Sequence, residues 1–288
     1  MRRRQIPVTL LCIVFVTAHL QPIQAQENET DYKTIPDIAY RPADVPEQTD
    51  YMRERCKLDL YYPTTIKNFP TVVWFHGGGL KGGSKKIPAE LMNQGIAIVA
   101  VNYRLFPKAK KPAYLEDAAA AVAWTFQHIS EYGGNPDLIF VAGHSAGGYL
   151  TSMIGLDRRW LVPYQIDPNQ IAGLIPYSGH CITHMTVREE MGIEQDQPVI
   201  DDMAPLFHAR KDAPPILLIT GDRNLEFPTR YEENAYMHSL LKVVGHKQVQ
   251  LMELQGFTHG SMLKPGHFLL LEEIKRIVSD KKKTDSQK

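Results

Sequence analysis

Cysteine is scarce in this chain. Three residues in 288, at Cys12, Cys56 and Cys181, are too few for a disulfide-stapled scaffold, and Cys56 and Cys181 are expected to be ordinary buried thiols rather than a pair. Neither sign of charge dominates: 32 lysines and arginines face 32 aspartates and glutamates, so nucleic acid, which demands a basic footprint, is not an expected partner. No internal repeat is visible, and no His/Cys spacing closes a metal-ligand set. Neither a metal nor an organic cofactor is therefore expected. The one sustained apolar run, Val8 to Ala18, is too short to cross a bilayer.

That run follows Arg2-Arg3-Arg4, and a charged start before a short apolar stretch is the pattern of a secretory signal peptide. Residues 1–25 are assigned to it, with cleavage after Ala18 or Ala25, which implies a secreted or periplasmic protein without stable membrane insertion. Losing three arginines from 32 would leave 29 basic side chains against 32 acidic ones. About 260 residues remain, enough for one α/β core. Residues 26–57, interrupted by Pro36, Pro42 and Pro46, read as a loose N-terminal arm, and 281–288, with Lys281-Lys282-Lys283, as a basic tail.

Between them, apolar runs alternate with helix-favouring stretches. Thr71 to Phe75, Ile96 to Val101, Leu138 to Ala142, Ile171 to Ile175 and Pro214 to Gly221 read as strands, near-continuous in the manner of a parallel sheet covered on both faces. Helices are predicted near Pro88 to Gln94, over Ala113 to Ser130, Thr229 to Val244 and Gly266 to Ser279. The expected fold class is α/β, doubly wound. Tyr177 to Pro215 lacks a clear period, and so long a stretch is expected to be a lid carrying short helices.

Two motifs point to chemistry. Gly143-His144-Ser145-Ala146-Gly147 lies between a strand and a helix, the context in which G-x-S-x-G holds a serine hydroxyl above the sheet edge. Ser145 is the candidate nucleophile. His76-Gly77-Gly78-Gly79 follows an apolar strand, and consecutive glycines let backbone N–H groups approach a developing oxyanion.

With these motifs, with Asn102-Tyr103-Arg104-Leu105 and with Glu116-Asp117, the chain from about Leu58 to Val278 resembles the α/β-hydrolase esterases of the hormone-sensitive-lipase and acetyl-esterase type, the BD-FAE-like carboxylesterases. The resemblance implies an α/β-hydrolase domain over 58–280, with lid segment about 177–215. It implies an oxyanion hole of Gly78, Gly79 and Ala146, and a general base at His259 in Gly256-Phe257-Thr258-His259. His180, Cys181, His184 and Met185 become candidate pocket residues. His128 and His267, each placed in a helix, are read as packing or surface residues.

The family's triad acid follows the strand ending at Gly221, commonly as G-x-x-D, but here that position is Asn224. Asp222 and Glu226 both remain within reach; Asp222 is preferred for its nearness to the strand end. The implied activity is a serine carboxylesterase acting on short-chain acyl esters, acetyl or feruloyl groups on carbohydrate among them, with a small-molecule or glycan ester as substrate. An amidase or formamidase of the same fold is the competing enzyme reading. The irregular acid position leaves a third, a non-catalytic binding protein on the same scaffold.

Overall fold

A computed structural model describes residues 30–42 and 49–285. The leader assigned to residues 1–25 lies outside the described residues. Eight strands form one sheet: β1 (Tyr32–Ala39), β2 (Lys57–Pro63), β3 (Phe69–Phe75), β4 (Ala97–Val101), β5 (Gly134–His144), β6 (Gly173–Tyr177), β7 (Ile216–Gly221) and β8 (Val249–Leu254). Their order is β1-β2-β4-β3-β5-β6-β7-β8. The two contacts of β2 are antiparallel and every other pair is parallel.

Among the described residues six α-helices accompany the strands: α1 (Asp50–Arg55), α2 (Ala113–His128), α3 (Ala146–Leu156), α4 (Met185–Glu190), α5 (Arg230–Val243) and α6 (Leu263–Asp285). Two apolar layers sandwich the sheet. Val73 and Phe75 of β3, with Ile139 and Val141 of β5, pack under α2, α3 and α5. Their strand neighbours Val72, Trp74, Phe140 and Ala142 face the opposite layer, closed by α6 through Leu270, Ile274 and Ile277. Alternation on a two-residue period sends successive side chains to opposite layers, so strands buried on both faces read as unbroken apolar runs. All five residues of β4 are buried for this reason.

Three expectations change. The N-terminal arm is not loose where it is described: Tyr32 to Ala39 pairs with β2 as an edge strand, and α1 is capped by Thr49, whose side chain accepts from the Met52 N–H. The helix predicted near Pro88 shrinks to a single 3-10 turn, Ala89–Leu91, because Asn93 and Gly95 adopt positive φ and break the helical path. The terminal helix is longer than predicted and absorbs Lys281 to Lys283, where Lys281 Nζ donates to the Asp137 carbonyl at 2.6 Å.

Segment 177–215 carries α4 and a 3-10 turn, Pro205–His208. It is anchored by Val187, Met203 and Leu206, all buried against the main core, and forms a fixed wall beside the strand ends. Cys56 and Cys181 are free, buried thiols. Among the described residues, no helix is long and apolar enough to cross a membrane.

Candidate active site

Ser145 sits between β5 and α3 with φ 57° and ψ −114°, a region costly for a residue with a Cβ and characteristic of a strained nucleophile turn. The surroundings hold it there. Its N–H donates to the Tyr177 carbonyl at 2.8 Å, and its carbonyl accepts from Tyr149 N–H at 3.0 Å. The motif's second glycine is required by contact: a Cβ on Gly147 would lie 2.1 Å from the Phe75 carbonyl oxygen. Only hydrogen there lets α3 approach the end of β3.

The glycine loop after β3 borders the same space. Gly78 has φ +117°, and a Cβ on it would meet the Gly82 carbonyl at 2.3 Å. Thr186 of α4 donates its hydroxyl to the Gly79 carbonyl at 2.5 Å, fixing that peptide plane. As the first residue of α3, Ala146 has no intrahelical acceptor for its N–H. Beneath the loop, Tyr103 stacks on His76 at 4.4 Å between ring centroids and donates its hydroxyl to the His76 carbonyl at 2.8 Å. Burial pushes the His76 imidazole down to about 4, so it packs as a neutral ring.

The adjacent Arg104 explains the rest of the Asn-Tyr-Arg-Leu motif. Its guanidinium meets the wholly buried Asp117 of α2 in a fork, Nε to Oδ2 and Nη2 to Oδ1 both at 2.8 Å, and Arg41 Nε adds a third bond at 2.9 Å. Two cations and several hydrogen bonds offset the desolvation of one carboxylate. The pair ties the loop after β4 to α2, and the Phe106 N–H of that loop donates to the Leu80 carbonyl, next to the glycine run, at 2.9 Å.

The expected acid, Asp222, is not on the imidazole. Asp222 Oδ1 accepts from the Asn224 N–H at 2.9 Å and Oδ2 from the Gly256 N–H at 2.8 Å; it caps the turn and joins two loops. Glu226 takes the place instead, with Oε1 2.5 Å from His259 Nδ1. The reason lies in the backbone: Leu225 and Glu226 N–H groups both return to the Asp222 carbonyl at 2.8 Å, a single helical turn that swings Glu226 back over the end of β7. Its side chain is fully buried and also accepts from Ser178 Oγ at 2.7 Å, Phe227 N–H at 3.1 Å and Gly221 N–H at 3.2 Å. Burial works to raise its pKa, but the bonds from His259 and Ser178 outweigh it and hold Glu226 down at about 2.

An ionised Glu226 makes Nδ1 of His259 the protonated nitrogen and leaves Nε2 with a free lone pair. Further contacts fix this ring. Ser178 Oγ lies 3.0 Å from Nδ1, Phe227 covers one side at 4.4 Å between centroids, and His144 Nε2 donates to the His259 carbonyl at 2.8 Å. Ser178 is itself held: Arg230 donates through Nη1 to its carbonyl and through Nη2 to His180 Nε2 at 2.8 Å, while His180 Nδ1 donates to Glu233 at 3.1 Å. His180 is thereby fixed as the neutral Nδ1–H tautomer, with its pKa lowered chiefly by burial.

Ser145, His259, Gly78 and Gly79 all border one cavity of about 950 Å³, whose far wall is the 177–215 segment. His180, His184 and Met185 line it as expected, whereas Cys181 stays behind the wall, buried, with its N–H on Glu233. Neither helical histidine enters. His128 packs on Trp124, and His267 lies buried between Trp74 and Tyr177. Among the described residues, no group of three or more His, Cys, Asp or Glu is placed to hold a metal ion. Sequence reasoning missed Arg188, and it missed Ser178, Arg230 and Glu233, whose contacts in the site span 48 to 81 residues of chain.

Solved structures share this arrangement of sheet and helices. A truncated carbohydrate esterase from gut microbiota superposes with TM-score 0.71 over 88% of this chain and 98% of its own, at 17% identity. This chain has the α/β-hydrolase fold. The chain matches the BD-FAE family model over residues 58–172, the stretch that carries the glycine loop and Ser145. Esterase 2 of Thermogutta terrifontis with propionate bound superposes with TM-score 0.63 at 22% identity, covering 88% of this chain and 94% of that one. Among curated sequences, the probable carboxylic ester hydrolase LipM of Mycobacterium tuberculosis is 28% identical over 227 residues, 73% of this chain and 52% of LipM. The chain spans about half the length of the curated relatives it matches first.

Proposed function

We propose that the protein is a serine carboxylesterase of short-chain acyl esters, with Ser145, His259 and Glu226 as its triad. The observation that carries this reading is the Glu226–His259 contact at 2.5 Å, bordering the cavity into which the strained Ser145 turn opens. In the acylation step Ser145 Oγ attacks the ester carbonyl while His259 Nε2 takes its proton. Glu226 then faces an imidazolium, whose charge it stabilises. The negative charge on the former carbonyl oxygen is held by the N–H groups of Gly78, Gly79 and Ala146. A donor of this kind is typically worth about 3–4 kcal/mol in the transition state.

Collapse of the tetrahedral intermediate breaks the ester C–O bond, and the alkoxide leaves with the proton from His259. Water then repeats the sequence on the acyl-serine, giving the carboxylic acid and free Ser145. The chain's own groups provide nucleophile, base and oxyanion donors, and the names of relatives as esterases and carboxylic ester hydrolases support an ester substrate.

A short acyl group is supported by the buried residues Val187, Met203 and Leu206 that anchor one wall of the cavity, and by the propionate bound in the Thermogutta esterase. Carbohydrate as the alcohol part is suggested by the gut-microbiota neighbour. The Arg2-Arg4 and Val8 to Ala18 pattern supports export. Rates on 4-nitrophenyl acetate, butyrate and octanoate test the reading: acetate and butyrate should be turned over at least tenfold faster than octanoate. A rate rising steadily with chain length would contradict it.

A further inference from the structure

The wall of the cavity contains a buried cation to which no carboxylate is hydrogen-bonded. Arg188, on α4, lines the same cavity as Ser145 and His259, yet is only 3% exposed. Its Nη1 donates to the Gln197 carbonyl, its Nε has no hydrogen-bond partner, and the carboxylates that act on it, Glu233 and Asp196, do so through space without a hydrogen bond. Burying a guanidinium without a carboxylate or a full set of acceptors is costly, and the ordinary solution is an opposite charge in contact.

The other charged groups facing this space are engaged, Arg230 through its terminal nitrogens alone, since its Nε also lacks a partner. Lys81 is paired with Glu189 at 2.5 Å. Glu233 is taken up by His180 and by the Cys181 N–H. Arg230 spends both terminal nitrogens on Ser178 and His180. His180 and His184 are held neutral by burial. Asp196 lies on the lining but is solvent-exposed, and it acts on Arg188 only at a distance. A guanidinium presents a planar fork that matches a carboxylate, and Arg188 lines the cavity that Ser145 borders.

We propose that Arg188 is a specificity-determining residue that binds a carboxylate carried by the substrate, so that the enzyme prefers anionic esters to neutral ones of the same shape. This rests on the esterase reading above and refines its substrate class. The carboxylate could sit on the acyl side, as in the half-ester of a dicarboxylic acid, or on the alcohol side, as in an acylated hydroxy or sugar acid; the chemistry at Arg188 is the same.

Matched pairs separate the two sources. Mono-4-nitrophenyl adipate against 4-nitrophenyl hexanoate probes the acyl side, and 3-acetoxybenzoate against 3-acetoxybenzamide the alcohol side. For at least one pair the wild type should favour the anion in kcat/KM by about tenfold or more, and Arg188→Met should collapse that ratio to near one or below, with Arg188→Lys intermediate. Turnover of both pairs with no anionic preference, or a preference that survives in Arg188→Met, overturns the proposal while leaving the esterase intact. Calorimetric titration of adipate and of 3-hydroxybenzoate into Ser145→Ala protein gives a readout independent of turnover, and of whether Arg188→Met folds. Saturable binding of one of them is expected. If the wild type hydrolyses none of the four esters but Ser145→Ala still binds a carboxylate, the esterase reading fails and the anion subsite stands; binding of neither acid overturns the subsite.

Discussion

Glu226 Oε1 stands 2.5 Å from His259 Nδ1, while Asp222, four residues earlier, spends its carboxylate on the N–H groups of Asn224 and Gly256. The two carboxylates therefore do different work. Glu226→Gln should lower kcat by about three to four orders of magnitude on 4-nitrophenyl acetate, because a neutral amide no longer fixes the tautomer or stabilises the imidazolium. Asp222→Asn should keep kcat within threefold of wild type and lower the thermal midpoint instead. Steady-state rates and melting curves on both variants decide it; a silent Glu226→Gln would remove Glu226 from the triad.

Ser178 should behave as a positioning residue. It touches Glu226 Oε2 and approaches His259 Nδ1, and it follows β6 with φ 46°, so its hydroxyl is directed into the acid–base pair. A hydrogen bond to a charged group contributes about 1.5–3 kcal/mol. Ser178→Ala is expected to reduce kcat about tenfold or more with KM within twofold, and Ser178→Thr to restore most of it. An equal change in both parameters would mark Ser178 as merely structural.

Much of this site was legible in the sequence because its chemistry is local. The turn around Ser145 needs glycines where α3 meets the Phe75 carbonyl, and the oxyanion loop needs them where φ is positive; both requirements are written in consecutive residues. Strand identity was equally plain, since β3 to β5 are covered on both faces. The acid was harder. Its place depends on a helical turn from Asp222 to Glu226, and distance from the strand end along the chain does not measure distance in space across such a turn. The N-terminal edge strand escaped notice because β1 alternates weakly and is mostly exposed; its pairing with β2 is what makes it a strand. Arg188 carried no signal, for a lone arginine in an irregular segment looks like any surface residue until the wall folds over it, and Arg230 none either, as one arginine at the start of a predicted helix.

Acid should weaken the fold through buried imidazoles. Burial pushes His76, His144 and His267 down to about 4, below an unfolded value near 6.5. Between those limits the unfolded chain binds the extra protons, so the stabilisation is complete above about pH 6.5 and is lost as pH falls through about 4. Each such group adds a slope of up to about 1.4 kcal/mol per pH unit inside the window. His267 is remote from the chemistry, packed between Trp74 and Tyr177. Replacing it by Phe should flatten the urea-unfolding free energy between pH 6.5 and 4 by about one proton's worth of slope. An unchanged slope would show that His267 does not take up its proton on unfolding.

Covalent capture of Ser145 is the central test. The account makes this residue the activated nucleophile, and a fluorophosphonate reacts with a serine only when a base and an oxyanion hole are in place. Peptide mapping after labelling the folded protein should find one phosphonyl adduct, on Ser145, with labelling abolished in Ser145→Ala and greatly slowed in His259→Ala. No adduct on the folded wild type, or an adduct confined to another serine such as Ser178 or Ser261, would contradict it.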